Sequence, residues 1–349
     1  MTVVLAVDAQ RPDASTIARA AACLRMGGLV AFPTETVYGL GVYALDPVAV
    51  RKLFEAKARP ADDPLIVHVP SLAEARELVT DVPSAAAVLA ARFWPGPLTL
   101  VLPKSRVVPD DVTAGLPSVA IRVPSHPVAQ ALLRASGVPI AAPSANLFSR
   151  PSPTRAAHVV ADLNGRIDMI IDGGPTPMGV ESTVVDLTGP SPRILRPGGV
   201  SLEDLATVLG AHPLTETRVD TSGPKPSPGL LERHYSPRAP LTVYEGDAVH
   251  VIGALRAAAA AAELDGRRVG LLLMDGDRVS AAKGEVRVLG PLGNPEAVAA
   301  NLYAALRELD AAGVDVILAH GVADTRGLGA ALRDRLRRAA AGRVVQCSA

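Results

Sequence analysis

The sequence predicts an α/β protein of two domains, in which a larger domain on a mixed sheet precedes a smaller, Rossmann-like domain. Three observations support this fold class. The length of 349 residues exceeds that of one average domain. Strand-like and helical segments alternate through the first two hundred residues, and the alternation resumes after a proline-rich segment. Apolar residues make up 48% of the chain but aromatic residues only 3%, so both cores must consist of aliphatic side chains.

Helix starts in the first domain carry capping signals, because each is preceded by a residue whose side chain can accept a bond from the first backbone amides. The candidates are Asp13 or Ser15, Asp46 with Pro47 directly behind it, and a capping box of Ser71 and Glu74. A glycine at Gly27 ends the first of these helices.

Strand-like runs in the same domain begin or end at proline or glycine, which is typical of a twisted, mixed sheet with functional strand ends. The runs are GGLVAF, LIVHV, LTLVLP, SVAIRVP, PIAAPSAN, MIIDGG, STVVDL and RILRPGG.

A segment from Thr215 to Pro237 has no apolar period and is rich in proline, as is typical of a linker. After it, strands and helices alternate with short turns, which implies parallel pairing. We therefore expect a larger domain over residues 1–212, a proline-rich linker over 213–238 and a Rossmann-like domain over 239–349.

Composition excludes several classes of protein. With 35 basic and 35 acidic residues, the whole chain is unlike a nucleic-acid binder, although a local basic patch remains open. The two cysteines, Cys23 and Cys347, provide neither a disulfide framework nor a cysteine-based zinc site. The N-terminus lacks the features of a signal peptide, and no apolar run is long enough to span a membrane. We expect a cytoplasmic protein with no membrane partner.

The stretch PTETVYGLG gathers hydroxyl groups around one carboxylate, that of Glu35, and then offers the glycines Gly39 and Gly41. The hydroxyls belong to Thr34, Thr36 and Tyr38. Since a short buried strand leads into this stretch, we expect the strand to end where a small polar ligand can approach the backbone.

Cations at strand and helix ends suggest an anion site. Lys57 and Arg59 end a helix, where they either compensate the helix dipole or bind an anion. Arg122 interrupts an apolar strand, so it lies either on a solvated strand face or beside a partner or wet cleft. Arg196 precedes Pro-Gly-Gly, where the backbone can open for a ligand.

Small hydroxyl side chains lie near these cations. Ser144 and Ser152 belong to a proline-rich turn, and Ser182 begins a strand. Such residues can cradle phosphate oxygens, but turns also prefer them for conformational reasons. Together with the cations they indicate a site that works by positioning and charge neutralisation, as phosphoryl and nucleotidyl transfer do.

Five blocks then occur in a specific order: PTETVYGLG, KARPADDPLIVHV, SVAIRVP, APSAN and ESTVVD followed by ILRPGG. In this order they resemble the threonylcarbamoyl-AMP synthases, which have the YrdC-like fold, and the resemblance runs from Val4 to Leu209. SPGLLERHYSP and GLGAALRDRLRRAA resemble the long, two-domain branch of that family. The resemblance implies a curved, mixed sheet around a positively charged cavity.

The resemblance also implies a reaction. L-threonine, bicarbonate or CO₂, and ATP with Mg²⁺ would give L-threonylcarbamoyladenylate and pyrophosphate. Another enzyme would then move the threonylcarbamoyl group to the adenosine beside the anticodon of tRNA, so that any tRNA contact of this chain would be indirect. No organic cofactor and no metal-binding side chains are implied.

Site residues follow from the same resemblance. L-threonine would be held by Thr36, His68, Arg122, the backbone at Ala142, and Ser182. ATP would be held by Arg59, Asp63, Ser118, Ser144, Ser152, Arg196 and Tyr235. Lys57 and Arg59 would be catalytic, with Lys57 near the phosphates or the carbamate. Ser118 stands where the family often has threonine, and the hydroxyl group is retained. Asp63 stands where asparagine is common, so only a hydrogen bond donated by the side chain at this position is in doubt.

Tyr235 adds a hypothesis about the linker, which is otherwise a charged spacer. We expect the linker to fold as a lid over the cavity of the first domain, with Tyr235 touching ATP and shielding the labile product from water.

Two other functions remain open at this stage. Carbamoyltransferases of hydrogenase maturation share a similar domain but also carry cysteine-rich zinc fingers, which two distant cysteines cannot supply. A non-catalytic RNA-binding module would use the same basic cavity without releasing pyrophosphate.

Overall fold

The computed structural model describes residues 1–215, 225–227, 229, 234–282 and 284–348. The chain divides into two compact units. The first unit comprises Met1–Phe148, Ser152–Pro177 and Glu181–Leu230, and the second comprises Ser149–Pro151, Met178–Val180 and Leu231–Ala349. Much of the predicted linker over 213–238 lies outside the described residues, so the predicted domain boundaries stay a prediction.

The first unit alternates strands and helices along the chain. Its strands are β1 Val3–Ala6, β2 Val30–Pro33, β3 Tyr38–Tyr43, β4 Ile66–His68, β5 Leu98–Pro103, β6 Ser118–Arg122, β7 Ile140–Ala141, β8 Met169–Asp172, β9 Thr183–Asp186, β10 Arg193–Arg196 and β11 Leu214–Thr215. Its helices are α1 Ala14–Arg25, α2 Pro47–Lys57, α3 Leu72–Glu77, α4 Ser84–Phe93, α5 Asp110–Thr113, α6 Pro127–Ser136, α7 Ala156–Leu163 and α8 Leu202–Leu209. Among the described residues, no helix combines the length and apolar character that crossing a membrane requires.

The predicted helix caps are confirmed. The side chain of Asp13, rather than that of Ser15, accepts a bond from the third residue of its helix. Asp46 accepts bonds from two amides of α2 and is followed by Pro47 at the first helical position. Ser71 caps α3 through its hydroxyl. These three helices begin where local backbone chemistry favours a start.

The sheet of the first unit is mixed, as predicted. Across the described strands its order is β1-β8-β2-β3-β7-β4-β6-β5-β9-β10-β11, with both parallel and antiparallel neighbours. Helices bury one aliphatic side of the strands, in a core that includes Leu53, Leu100 and Ile121. A smaller cluster of Ile66, Ala120 and Val184, with two neighbours, lies on other positions of the same strands.

The stretch PTETVYGLG differs from its prediction, because its glycines lie inside a strand. β2 and β3 form an antiparallel hairpin, and Gly39 and Gly41 are paired within it. A Cβ atom on Gly41 would lie 2.8 Å from side-chain atoms of both Ile140 and Phe32. Gly41 is therefore needed for close packing of neighbouring side chains rather than for the approach of a ligand.

The second unit is a small parallel α/β fold, as predicted. Its strands are β12 Leu241–Gly246, β13 Val269–Leu273, β14 Glu285–Val288, β15 Val316–His320 and β16 Val344–Cys347. Its helices are α9 Ala248–Leu264, α10 Pro295–Ala311 and α11 Gly329–Ala339. The strand order is β14-β13-β15-β12-β16, and every pair of neighbours in this order is parallel.

Candidate functional site

One row of register partners crosses five neighbouring strands of the first unit. His68 on β4 is paired with Arg122 on β6, and Arg122 with Thr99 on β5. Thr99 is paired with Val184 on β9, and Val184 with Arg196 on β10. Register partners share a face of the sheet, and neighbouring strands lie about 4.8 Å apart. The row therefore places one histidine and two arginines on a single face within about 20 Å.

A β-bulge brings Arg196 to this face. Ile194 is paired with Val185, but Arg196 is paired with Val184, so Leu195 is an extra residue in β10. Without the bulge Arg196 would share the face of Ile194, which packs in the helix-covered core. The bulge instead turns the guanidinium towards Ser182, whose carbonyl accepts a bond from it at 2.9 Å.

Gly198, the first glycine after Arg196, lies in close backbone packing, and the predicted approach of a ligand to this segment stays a prediction. A Cβ atom on Gly198 would lie 2.3–2.4 Å from backbone atoms of residues 181–183. Gly198 is therefore needed because two segments of this chain pack backbone against backbone. This packing supports the turn that follows the bulge.

Arg122 is buried and paired, so the solvated-face alternative is wrong. Its Nη2 group lies 2.7 Å from Oε1 of Glu35, and its Nε group donates to the carbonyl of Gly96 at 3.4 Å. The residue is only 4% exposed. Within the described ranges, no partner takes a hydrogen bond from its Nη1 group. The guanidinium is thus held on one edge while its other edge keeps donors for a ligand.

The hairpin tip explains the hydroxyls of PTETVYGLG. Thr34 Oγ1 donates to the carbonyl of Val37 at 2.7 Å and lies 2.8 Å from Thr36 Oγ1. The amides of Thr36 and Val37 donate back to the same oxygen. These bonds stabilise a tight turn that presents Glu35 to Arg122, and Thr36 is buried in it.

His68 is held as a neutral acceptor. Burial, and then the neighbouring Arg122, lower the pKa of His68 to about 3. Its Nδ1 atom lies 3.2 Å from the carbonyl oxygen of Ile66. Because a carbonyl can only accept, Nδ1 carries the hydrogen and Nε2 has the lone pair. His68 can therefore accept a bond from a hydroxyl or ammonium group but cannot neutralise a carboxylate.

Ser182 and Ala142 border the row. Ser182 Oγ lies 2.7 Å from Thr99 Oγ1, which links the start of β9 to the row itself. The backbone amide of Ala142 donates to the carbonyl of Ile66 on β4 at 2.9 Å. This bond holds the loop residue Ala142 against the strand that carries His68. The residues predicted to bind threonine thus belong to neighbouring strands and to the loops that join them.

Lys57 and Arg59 brace two loops, and the anion-site interpretation stays a prediction. The Lys57 ammonium group donates to the carbonyls of Ser144 and Asn146, each at 2.5 Å. Arg59 donates to the carbonyls of Asp63 and Pro64. Both cations are buried, and they hold the two loops predicted to bind ATP.

Asp63 is a buried carboxylate beside a guanidinium. Its Oδ2 atom lies 2.9 Å from Arg59 Nη2, yet neither carboxylate oxygen has hydrogen-bond geometry with any residue that the structure describes. Burial raises the pKa of Asp63, against the opposing attraction of Arg59. Its backbone carbonyl accepts a hydrogen bond from Arg59. The prediction that Asp63 binds ATP stays untested.

The hydroxyls predicted for ATP lie in different places. Ser152 Oγ donates to Glu181 Oε1 at 2.6 Å, next to Ser182. Ser118 begins β6, the strand that Arg122 ends. Four residues of strand separate Ser118 from Arg122 by about 13 Å on the same face, so the two cannot bind one small group.

Tyr235 belongs to the second unit. Its ring centroid lies 5.6 Å from that of Tyr303, and the guanidinium of Arg335 lies 5.1 Å above its ring. It is 1% exposed and has φ = 60°, an uncommon conformation for an aromatic residue. Its contact with ATP stays a prediction, and Arg233 and most of the predicted lid lie outside the described residues.

Three residues of the site were assigned no binding partner from the sequence: Glu35, Thr99 and Glu181. Glu35 could have been assigned, since an arginine in an apolar strand needs a carboxylate and PTETVYGLG supplies one. Thr99 and Glu181 gave no such signal, because threonine is common in strands and glutamate is common everywhere.

Fold and site together define a two-unit α/β protein that gathers buried cations and hydroxyls on one sheet face. Residues 22–198 match the family model described as Telomere recombination (Sua5_yciO_yrdC), and residues 200–341 match the model described as Threonylcarbamoyl-AMP synthase, C-terminal domain. The threonylcarbamoyl-AMP synthase of Pyrococcus abyssi is 48% identical over 99% of this chain and all of its own length. That of Bacillus subtilis is 47% identical over 95% of this chain and 94% of its own.

The crystal structure of Pyrococcus abyssi Sua5 complexed with L-threonine superposes with a TM-score of 0.94, at 46% identity, over 99% of this chain and all of that one. The chain belongs to the threonylcarbamoyl-AMP synthase family. This membership confirms the resemblance, the fold class and the enzyme class predicted from the sequence.

Proposed function

We propose that this chain joins L-threonine, bicarbonate or CO₂, and ATP into L-threonylcarbamoyladenylate and releases pyrophosphate. The observation that carries the proposal is the row from His68 to Arg196 on one sheet face. An amino acid and a nucleotide must meet for this reaction, and one continuous face offers neighbouring positions for both. Family membership supports the same assignment.

Threonine would bind at the Arg122 end of the row. The Nη1 edge of Arg122 suits the α-carboxylate, which a guanidinium can bind through two parallel bonds. His68 Nε2 would accept from the threonine hydroxyl, since the ring is neutral. Thr36, the backbone at Ala142, and Ser182 would complete the pocket. A pocket of this kind reads a hydroxyl group more strictly than a methyl group.

ATP, as its magnesium complex, would bind along the cationic loops. Lys57, Arg59 and Arg196 would neutralise the phosphates, with Ser144 as a donor and Asp63, Ser118, Ser152 and Tyr235 as further contacts. The Mg²⁺ ion enters with the nucleotide as part of the substrate, held by phosphate oxygens. We assign no protein side chain to it.

The chemistry follows from charge. The neutral amine of threonine attacks CO₂ and loses a proton, which gives a carbamate. A carbamate oxygen then attacks the α-phosphorus of ATP in line, and pyrophosphate leaves with the electrons of the broken P–O bond. Negative charge spreads over the phosphate oxygens in this step, so prearranged cations lower its barrier.

The product is a reactive mixed anhydride, so a second enzyme must consume it quickly. We infer that this enzyme transfers the threonylcarbamoyl group to the adenosine beside the anticodon of tRNA. This chain then needs no direct contact with tRNA. An RNA-binding module without catalysis, the second alternative, fits poorly with membership in an enzyme family.

Pyrophosphate release tests the proposal. The purified chain is incubated with MgATP, labelled bicarbonate and L-threonine, and with each of the three omitted in turn. We expect pyrophosphate only in the complete mixture, together with a product whose mass includes the label. Equal release without threonine would contradict the proposal.

A further inference from the structure

The proposed reaction gives no role to the carboxylate of Glu35, which lies beside Arg122 at the amino-acid end. Its two oxygens have different partners: Oε1 lies 2.7 Å from Arg122 Nη2, and Oε2 accepts the amide of Ser125 at 3.0 Å. The side chains of Glu35 and Arg122 are 11% and 5% exposed. A carboxylate and a guanidinium with so little access to water are well ordered relative to each other.

Glu35 is itself held rigidly. It follows Thr34 in the turn between β2 and β3, and the Thr34 hydroxyl bonds both ends of that turn. On the other side, Ser125 lies just beyond the end of β6, the strand that carries Arg122. The carboxylate therefore connects the hairpin tip to the segment that follows β6, a strand that β7 and β4 separate from β3 in the sheet.

The geometry divides the donors of Arg122 into two sets. One edge of the guanidinium is occupied, since Nε donates to Gly96 and Nη2 to Glu35. The Nη1 group makes no hydrogen bond to the described residues. A planar guanidinium that is held along one edge has only one orientation left for the other edge, and this orientation decides where a substrate carboxylate can lie.

We propose that Glu35 is the positioning residue that orients Arg122 for the α-carboxylate of the amino-acid substrate. The proposal rests on the proposed function, because it takes Arg122 as the carboxylate-binding group. Glu35 acts through Arg122 and does not touch the reacting atoms. Its effect therefore appears in the binding of threonine and not in the binding of ATP.

Glu35→Gln tests this role. The amide keeps the size of the side chain but replaces one oxygen by an NH₂ group, which then faces a donor from either Arg122 or Ser125. We expect KM for L-threonine to rise about 10- to 100-fold, because a displaced guanidinium no longer aligns with the α-carboxylate that it binds. KM for ATP and kcat at saturating threonine should change less than about 3-fold.

A matched control is Glu55→Gln, the same replacement at an exposed position of α2. It should leave both KM values as in the unaltered chain. If Glu35→Gln does not fold, Glu35→Asp carries the test: it keeps the charge but shortens the arm by one methylene, and we expect an intermediate rise in KM for threonine.

A double-mutant cycle separates positioning from a general structural effect. Calorimetry gives Kd of L-threonine for the chain with Arg122→Lys, with and without Glu35→Gln. A lysine has no planar edge to orient, so Glu35→Gln should change Kd less than about 3-fold in that background. An equal loss in both backgrounds would overturn the proposal, as would an unchanged KM for threonine in Glu35→Gln.

These outcomes are distinct from failure of the proposed function. If the unaltered chain shows no threonine-dependent release of pyrophosphate, the reaction is wrong. If it shows such release and Glu35→Gln binds threonine normally, the reaction stands and the role of Glu35 is wrong.

Discussion

Each unit contains a buried carboxylate that accepts hydrogen bonds from arginine, but the number of arginines differs between the two. In the first unit Glu35 receives a bond from one arginine, Arg122, whose Nη1 edge has no described partner. In the second unit Glu245, at the end of β12, receives bonds from both Arg333 and Arg337. Gln346 adds a further bond at 3.2 Å. One site has donors to spare, whereas in the other the carboxylate is surrounded by donors.

This difference separates a binding site from a structural brace. Donors without a partner on a buried guanidinium raise the free energy of the empty site, because they have lost water without gaining a hydrogen bond. An anionic ligand that accepts from them removes this penalty. A carboxylate that already accepts from three side chains gains nothing from a ligand. Burial alone would raise the pKa of Glu245, but the bonds from Arg337 and Arg333 outweigh it and lower the pKa to about 2. Glu245 therefore fastens helix α11 to the sheet.

The largest effect is expected at Arg196, which the bulge in β10 turns to the site face. Arg196→Ala should lower kcat roughly 10²–10³-fold, as for the loss of a donor to transition-state charge. Steady-state assays of pyrophosphate release give this value, and circular dichroism checks the fold. A folded variant with the rate of the unaltered chain would remove Arg196 from the site.

Substrate selectivity sharpens the assignment of the Arg122 end. Serine lacks only the methyl group of threonine, whereas valine lacks the hydroxyl that His68 Nε2 would accept. A missing methyl costs about 1–3 kcal/mol, and an unpaired buried acceptor costs more. We therefore expect kcat/KM to fall in the order threonine, serine, valine. Use of valine as readily as serine would show that His68 does not read the hydroxyl.

Glu245→Gln tests the brace in the second unit. The arginines of this cluster are 32% and 41% exposed, so solvent screens part of the interaction. We expect the free energy of unfolding to fall by about 1–2 kcal/mol at pH 7, with KM for threonine unchanged. Since the pKa of Glu245 is low in the folded chain, this stabilisation should disappear as the pH falls from 4.5 towards 2. A change in KM for threonine without a change in the free energy of unfolding would mean that Glu245 serves substrate binding and not the structure of the second unit.

The last expected effect concerns His68 and the dependence of stability on acid pH. The unfolded chain binds a proton at this residue below pH 6.5, whereas the folded chain remains neutral until about pH 3. The free energy of unfolding should therefore decrease as the pH falls from 6.5 to 3. His68→Gln should flatten this slope in urea titrations at several pH values, whereas a control at the exposed His212 should not. An unchanged slope would mean that His68 is not held neutral.

Local signals in the sequence predict local structure well. The caps at Asp13, Asp46 and Ser71 are confirmed, because a cap depends on bonds between residues two or three positions apart. The parallel sheet of the second unit is also predicted correctly, since short turns between strands and helices allow little else. The strand β3 lies where the sequence predicts the end of a strand and the approach of a ligand, because its glycines resemble turn residues until their neighbours are known.

The assembled site depends on pairings that no local pattern reveals. The row from His68 to Arg196 requires the register of five strands, and β9 pairs with β5 across more than eighty residues of chain. The bulge at Leu195 also has no local signature, yet it decides which face Arg196 occupies. The sequence identifies the site residues through their resemblance to a family, whereas their common face follows only from the fold.

The most direct test is a crystal structure with L-threonine and a non-hydrolysable analogue of ATP bound together. We expect the α-carboxylate within hydrogen-bond distance of Arg122 Nη1 and a phosphate within reach of Arg196. Elsewhere in the first unit, Cys23, Lys52 and Arg166 border a cleft of about 650 Å³. Ligands bound in that cleft, with the row from His68 to Arg196 untouched, would contradict the account.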